Sequence, residues 1–249
     1  MCGIVGVVGN SNAVDILIQG LEKLEYRGYD SAGIYVTDAP DKGCLVKSVG
    51  RIADLRAKIS SDVKGSTGIG HTRWATHGQA TEDNAHPHTS ETGRFVLVHN
   101  GVIENYLQIK EEYLQGHKFK GQTDTEIAVH LIGKFVDEDG LSVLEALKKS
   151  LHIIQGSYAF ALVDSQAPDT IYVAKNKSPL LIGVGEGYNM VCSDAMAMIR
   201  ETSQFMEIHD KELVVLTKDA ITVTDYEGNA IERGTYTAEL DLSDIGKGT

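Results

Sequence analysis

Met1-Cys2-Gly3-Ile4-Val5-Gly6-Val7-Val8 opens the chain with a thiol in second position and a short apolar run behind it. The β-branched Ile4, Val5, Val7 and Val8 favour a strand over Gly3–Val8. Cysteine is small enough for an aminopeptidase to remove Met1, which leaves a thiol and a free α-amine on one residue. Unperturbed, that amine titrates at about 7.7–8.0 and the thiol at about 8.5, so near neutrality the amine can accept the thiol proton, directly or through water. Nucleophile and base then need no separate histidine. Taken alone, Cys2 reads more simply as a buried cysteine beside a strand.

Outward from this segment, short β-branched runs recur. Strands are expected at Gly33–Thr37, Leu45–Val49, Ser66–His71, Phe95–Asn100, Ser157–Asp164, Ile171–Lys175, Leu180–Val184, Met190–Ser193, Phe205–Ile208, Glu212–Leu216 and Ala220–Thr224. Helical spacing of Val14, Leu17, Ile18 and Leu21 predicts a helix over Ala13–Leu24. Further helices are expected at Ile52–Ile59, Tyr106–Leu114 and Leu141–Leu151, and a capping box, Thr123-Asp124-Thr125-Glu126, opens one running to about Phe135. The order suggests an α+β protein in which two mainly antiparallel sheets stack face to face under outer helices.

Three other segments have side chains suited to chemistry. In Gly70-His71-Thr72-Arg73-Trp74-Ala75-Thr76-His77-Gly78, Arg73 can grip a carboxylate through two hydrogen bonds, Trp74 can shield a reaction, and Thr76 and His77 can hold polar substrate atoms. In Val98-His99-Asn100-Gly101, the Asn100 amide and the Gly101 backbone N–H suit an oxyanion hole, although Asn-Gly is also an ordinary turn. Asp124, in the first turn of a helix, can receive an ammonium group or simply complement the helix dipole. His86-Pro87-His88 lacks a metal-site pattern, and no metal or cofactor is expected. Gly183-Val184-Gly185-Glu186-Gly187 reads as a strand turn, not a phosphate loop.

Taken together, the opening Met1–Gly6, Tyr26-Arg27-Gly28-Tyr29-Asp30-Ser31-Ala32-Gly33, Gly70–Gly78, His99-Asn100-Gly101 and Thr123-Asp124-Thr125-Glu126 resemble the class II, N-terminal-nucleophile glutamine amidotransferases in kind and order. Glu25-Tyr26-Arg27-Gly28-Tyr29-Asp30-Ser31, His71-Thr72-Arg73-Trp74-Ala75-Thr76-His77 and Thr123-Asp124-Thr125-Glu126 are closer to the glutaminase domains of the glucosamine-6-phosphate synthases than to the phosphoribosyl amidotransferase branch.

The resemblance implies a four-layer αββα N-terminal-nucleophile hydrolase sandwich with L-glutamine as substrate. By it, Cys2 is the nucleophile, and Asn100 and Gly101 hold the oxyanion. Arg73 takes the α-carboxylate and Asp124 the α-ammonium. Trp74 is a substrate-site residue that gates ammonia passage, Thr76, His77 and His86 line the pocket, the loop from Arg73 to about Thr81 closes over glutamine, and Arg27 steadies the N-terminus. It further implies a glutaminase domain over 1–237, with 238–249 starting a linker to a sugar isomerase domain absent from this chain. The full-length enzyme is expected as a homodimer. A non-catalytic glutamine-sensing module is the reading of a different class.

The bulk numbers agree. The chain has 249 residues, 42% hydrophobic, enough for a full core. A net charge of −12 without a basic stripe argues against nucleic acid. No apolar run reaches the roughly eighteen residues of a membrane span, and the opening lacks the basic segment of a secretory signal, so no membrane association and a cytoplasmic location are expected. Cys2, Cys44 and Cys192 are far apart and odd in number, which suggests no disulfide framework, and Cys44 and Cys192 are expected to be buried and inert.

Overall fold

All six residues of strand β1, Gly3–Val8, are buried, because both faces of the strand are covered. Alternate side chains point oppositely in a strand: Ile4 and Val8 enter one apolar cluster, Val5 and Val7 another. A computed structural model describes residues 2–75 and 78–238. After β1 come α1 (Ala13–Leu24), β2 (Ser31–Thr37), β3 (Cys44–Val49), α2 (Ile52–Lys58) and β4 (Thr67–Arg73). The middle holds β5 (His88–Thr89), β6 (Phe95–Ile103), α3 (Tyr106–Tyr113), α4 (Asp124–Asp137), α5 (Val143–Ile153), β7 (Gly156–Asp164) and β8 (Ile171–Asn176). The chain then forms β9 (Leu181–Val184), β10 (Asn189–Cys192), β11 (Gln204–Glu207), β12 (Glu212–Leu216), β13 (Ile221–Asp225), β14 (Ala230–Ile231) and β15 (Tyr236–Thr237).

Two antiparallel sheets result, one ordered β15-β11-β9-β10-β1-β4-β2-β3 and the other β14-β13-β12-β8-β7-β6-β5. Between them lie Ile4, Ile69, Val96, Val98, Ala161 and Val191. Val5, Val7, Ile34 and Val36 face away and pack under Leu17 and Leu21 of α1 and Leu55 of α2. On the opposite outer face, Phe95, Leu97, Phe160 and Leu162 pack under α4 and α5. The layers are therefore helix, sheet, sheet, helix, as the strand patterning and the resemblance implied. Helix α4 is buried almost throughout, and a buried side chain such as Leu131 is worth about 1.5–3 kcal/mol, so its first turn is held rigidly. No helix among the described residues is long and apolar enough to cross a membrane.

Three expectations need correction. Strand β6 does not end at Asn100: it runs on to Ile103, with Asn100 opposite Ala159 and Gly101 opposite Tyr158, so Asn-Gly is not a turn here. Gly101 has φ +123°, and a Cβ there would lie 2.3 Å from the Ser157 carbonyl oxygen, so only glycine can continue the ladder at this point. The capping box is half formed. Thr123 accepts the Glu126 N–H at 3.2 Å, but the Glu126 carboxylate turns to the N–H groups of Lys120 and Gly121, which offer it two bonds. Cys44 is only half-buried, because β3 is the edge strand of its sheet, whereas Cys192 is fully buried.

Candidate active site

Strands β1 and β4 pair with Gly3 opposite Thr72, which sets Cys2 beside the residues that follow β4. The Trp74 N–H lies 3.3 Å from Cys2 Sγ and favours a thiolate, while burial pushes this thiol up. Arg73, the last residue of β4, is 5% exposed; its guanidinium donates to the Gln79 carbonyl at 3.0 Å and lies 3.8 Å from Asp30 Oδ1. Asp30 is an organiser that sequence reasoning passed over. Its N–H donates to the Arg73 carbonyl at 2.7 Å, and its Oδ2 accepts the Ala75 N–H at 2.6 Å. The Trp74 ring lies over Gly28, where φ is +119° and a Cβ would come within 2.6 Å of the indole.

The other sheet contributes β6. One Asn100 Nδ2–H donates to the Cys2 carbonyl at 3.2 Å. An amide nitrogen carries two hydrogens, so a second donor remains beside the thiol residue. The orientation of this amide is set by His71, whose Nε2 lies 2.9 Å from Asn100 Oδ1 and 3.1 Å from the His99 carbonyl. Two acceptors require a donor between them, so His71 carries its proton on Nε2. His71 stacks on His86 at 4.0 Å, and His86 Nδ1 accepts the His99 N–H at 3.3 Å. His99 Nδ1 is bonded to Thr125 Oγ1, and His88 Nε2 to Thr123 Oγ1.

These four imidazoles are buried, and burial holds each below the ordinary histidine range, His71 down to about 3. The neutral rings of His86 and His99 give the cleft a wall that does not charge at neutral pH, with His71 and His88 behind them. The sign for stability follows: the unfolded rings bind protons below about pH 6.5 whereas the folded ones do not, so stability is intact above that pH and falls below it. Each ring contributes a slope of about 1.4 kcal/mol per pH unit until its folded value is reached. Urea unfolding between pH 7 and 4 is expected to show this loss, and His71→Gln to flatten the slope by about one proton.

Asp124 begins α4, and its Oδ2 accepts the Ile103 N–H at 2.8 Å, tying the helix start to the end of β6. Cys2, Arg73, Trp74, His86, Gly101 and Asp124 all line one cleft of about 180 Å³. A thiol at one point and a guanidinium and a carboxylate on the walls suit a small zwitterion bearing a group for nucleophilic attack. His99, Gln122 and Thr125 line it too; they stand in or next to the segments that carry the resemblance but were given no role of their own, and Tyr106, also in the lining, had no distinguishing signal in the sequence. A roomier hollow of about 490 Å³ around Arg94 and Asp137 contains no thiol. Arg27 pairs with Asp194 and donates from Nε to the Tyr26 hydroxyl at 3.0 Å. Thr76 and His77, expected in the pocket, lie outside the described residues, as does the tail after Ala238.

Residues 44–229 match the family model of the glutamine amidotransferase domain, and the chain belongs to that family. Over all 249 residues it is 84% identical to the isomerizing glutamine–fructose-6-phosphate aminotransferase of Streptococcus pyogenes serotype M1, and 83% to that of Streptococcus mutans serotype c. It spans 41% of the length of each of these relatives. Among solved structures, the glutamine phosphoribosylpyrophosphate amidotransferase of B. subtilis superposes with a TM-score of 0.79 at 29% identity, covering 92% of this chain and 50% of that one.

Proposed function

We propose that this chain hydrolyses L-glutamine to glutamate and ammonia through a γ-glutamyl thioester on Cys2. The observation that carries the reading is the convergence of Cys2, Gly101, Arg73 and Asp124, from both sheets and a helix start, on one cleft, with the Asn100 amide bonded to the Cys2 carbonyl beside it. Arg73 receives the α-carboxylate and Asp124 the α-ammonium, which sets the γ-amide at Cys2. The α-amine exposed by Met1 removal takes the thiol proton, and Sγ attacks the amide carbon. The second Asn100 Nδ2–H and the Gly101 N–H hold the oxyanion. As the C–N bond breaks, the α-ammonium returns its proton and ammonia leaves. The α-amine then deprotonates water, which attacks the thioester, frees glutamate and restores the thiol. Trp74 shields the thiol and His86 lines the pocket, while the assignment of Thr76 and His77 to glutamine binding rests on the resemblance alone. In the longer protein the ammonia serves glucosamine 6-phosphate formation from fructose 6-phosphate, in a sugar isomerase domain beyond a linker starting near 238. The 83–84% identity to fructose-6-phosphate aminotransferases favours this use over a phosphoribosyl one.

The test is intact-mass analysis after exposure to a glutamine analogue whose γ-amide is replaced by an electrophile, with ammonia release from glutamine followed in parallel. One adduct on Cys2 together with steady ammonia release is expected. Glutamine binding without an adduct or turnover would make the chain a sensing module. Arg73→Ala is expected to raise KM for glutamine by the equivalent of about 2–5 kcal/mol with a smaller change in kcat. γ-Glutamyl substrates lacking the α-carboxylate should lose least. Equal losses for both kinds of substrate would remove Arg73 from the carboxylate role.

A further inference from the structure

Glu91, His117 and His130 meet away from the cleft described above, brought together from the turn after β5, the loop after α3 and the middle of α4. His117 Nδ1 and His130 Nδ1 are 2.9 Å apart, and Glu91 Oε2 lies 3.5 Å from the latter and 3.9 Å from the former. The point equidistant from three atoms so placed, the circumcentre of their triangle, lies about 2.0 Å from each, and an ion about 0.7 Å out of that plane, as a fourth ligand requires, lies about 2.1 Å from each, within the range of zinc bonds to imidazole nitrogen and carboxylate oxygen. We propose that this triad binds a divalent transition ion of the zinc type, with water completing a tetrahedron.

The surroundings favour the tautomers that such an ion needs. Both rings must present a bare Nδ1 and carry the proton on Nε2. His117 Nε2 lies 3.3 Å from Glu138 Oε1, and His130 Nε2 lies 3.7 Å from Glu126 Oε2, so a carboxylate stands behind each ring. Glu126 is itself fixed by the Lys120 and Gly121 N–H groups, and Glu91 Oε2 accepts the Lys118 N–H at 3.0 Å. Phe119 packs its ring 4.5 Å from that of His130, and the two imidazoles are 5% and 2% exposed. Without an ion, one Nδ1–H must donate to the other Nδ1. With one, that proton moves to Nε2, and the two positive charges of the ion are matched in excess by the carboxylates of Glu91, Glu126 and Glu138 around the two neutral rings. The two imidazole nitrogens select zinc-like ions over magnesium or calcium. The ion would staple α4, whose first residue is Asp124, to the loop after α3 and the turn after β5.

The experiment uses the chain stripped with a chelator and blocked at Cys2 by alkylation, so that the thiol cannot compete. Titration with Zn²⁺ is expected to bind about one equivalent and raise Tm, and Co²⁺ to give the intense visible bands of a tetrahedral site. His117→Gln and Glu91→Gln should remove the bands and the Tm shift while the protein stays folded, and Glu138→Gln should weaken binding on the order of 10–100-fold. His130 is deeply buried, so its replacement is not used. Absence of a bound equivalent in the unsubstituted chain, or binding unchanged in His117→Gln and Glu91→Gln, would overturn the proposal and leave a hydrogen-bonded histidine pair.

Discussion

Cys2→Ala is expected to lower glutaminase turnover on the order of 10⁴–10⁶-fold, the size seen when a covalent nucleophile is removed from a preorganised site. The fold should persist, because Cys2 Sγ touches only backbone atoms of Trp74 among its described hydrogen-bond partners. Glutamine affinity should persist as well, because the proposed mechanism assigns it to Arg73 and Asp124. Cys192→Ala should leave kcat unchanged: that thiol is buried, donates to the Asp194 carbonyl at 2.8 Å, and is pushed far above the thiol range by burial. A variant that retains Met1 separates the nucleophile from its base. Its thiol is present, but the Cys2 nitrogen is a peptide amide that cannot take a proton, and burial already holds the thiol up. Such a protein should bind glutamine and release almost no ammonia. Substantial turnover by Cys2→Ala, or full turnover with Met1 retained, would sink the mechanism.

Asn100→Ala is expected to reduce kcat on the order of 10²–10³-fold with a smaller change in KM. The oxyanion exists only after Sγ attacks, so the lost donor is missed in the transition state and not in the bound substrate. The geometry adds a second arm to this test. His71 Nε2 holds Asn100 Oδ1 and thereby aims Nδ2 at Cys2. His71→Gln keeps an N–H at comparable reach and should retain more kcat than His71→Ala, whereas a merely structural role for the ring would lower both alike through stability. An Asn100→Ala effect confined to KM would move this side chain to ground-state binding.

Much of the architecture was legible because local pattern and tertiary demand coincide. Gly3–Val8 and Ala13–Leu24 form at the expected bounds: one is a strand covered on both faces, the other an amphipathic helix with a single apolar stripe. Where a partner decides, the pattern misled. Asn100-Gly101 carries the composition of a turn, yet β7 extends from Gly156 and captures it as ladder. The two-residue strands β5, β14 and β15 are too short to have a period, and exist only because a neighbouring strand offers hydrogen bonds.

The sequence by itself determined the family: a cysteine in second position, an Asn-Gly pair, an Arg and an Asp stand in an order that belongs to one family. It did so because reacting groups must be particular residue types whatever surrounds them. Which residues aim those groups was decided by the tertiary structure. His71 meets Asn100 only where the two sheets face each other, and Asp30 meets Ala75 only where the chain after β4 returns past the start of β2. Glu91, His117 and His130 likewise have no motif spacing and meet through the packing of α4 against its neighbours. Orientation and burial depend on distances between segments far apart in the chain, and a linear pattern contains no such distances.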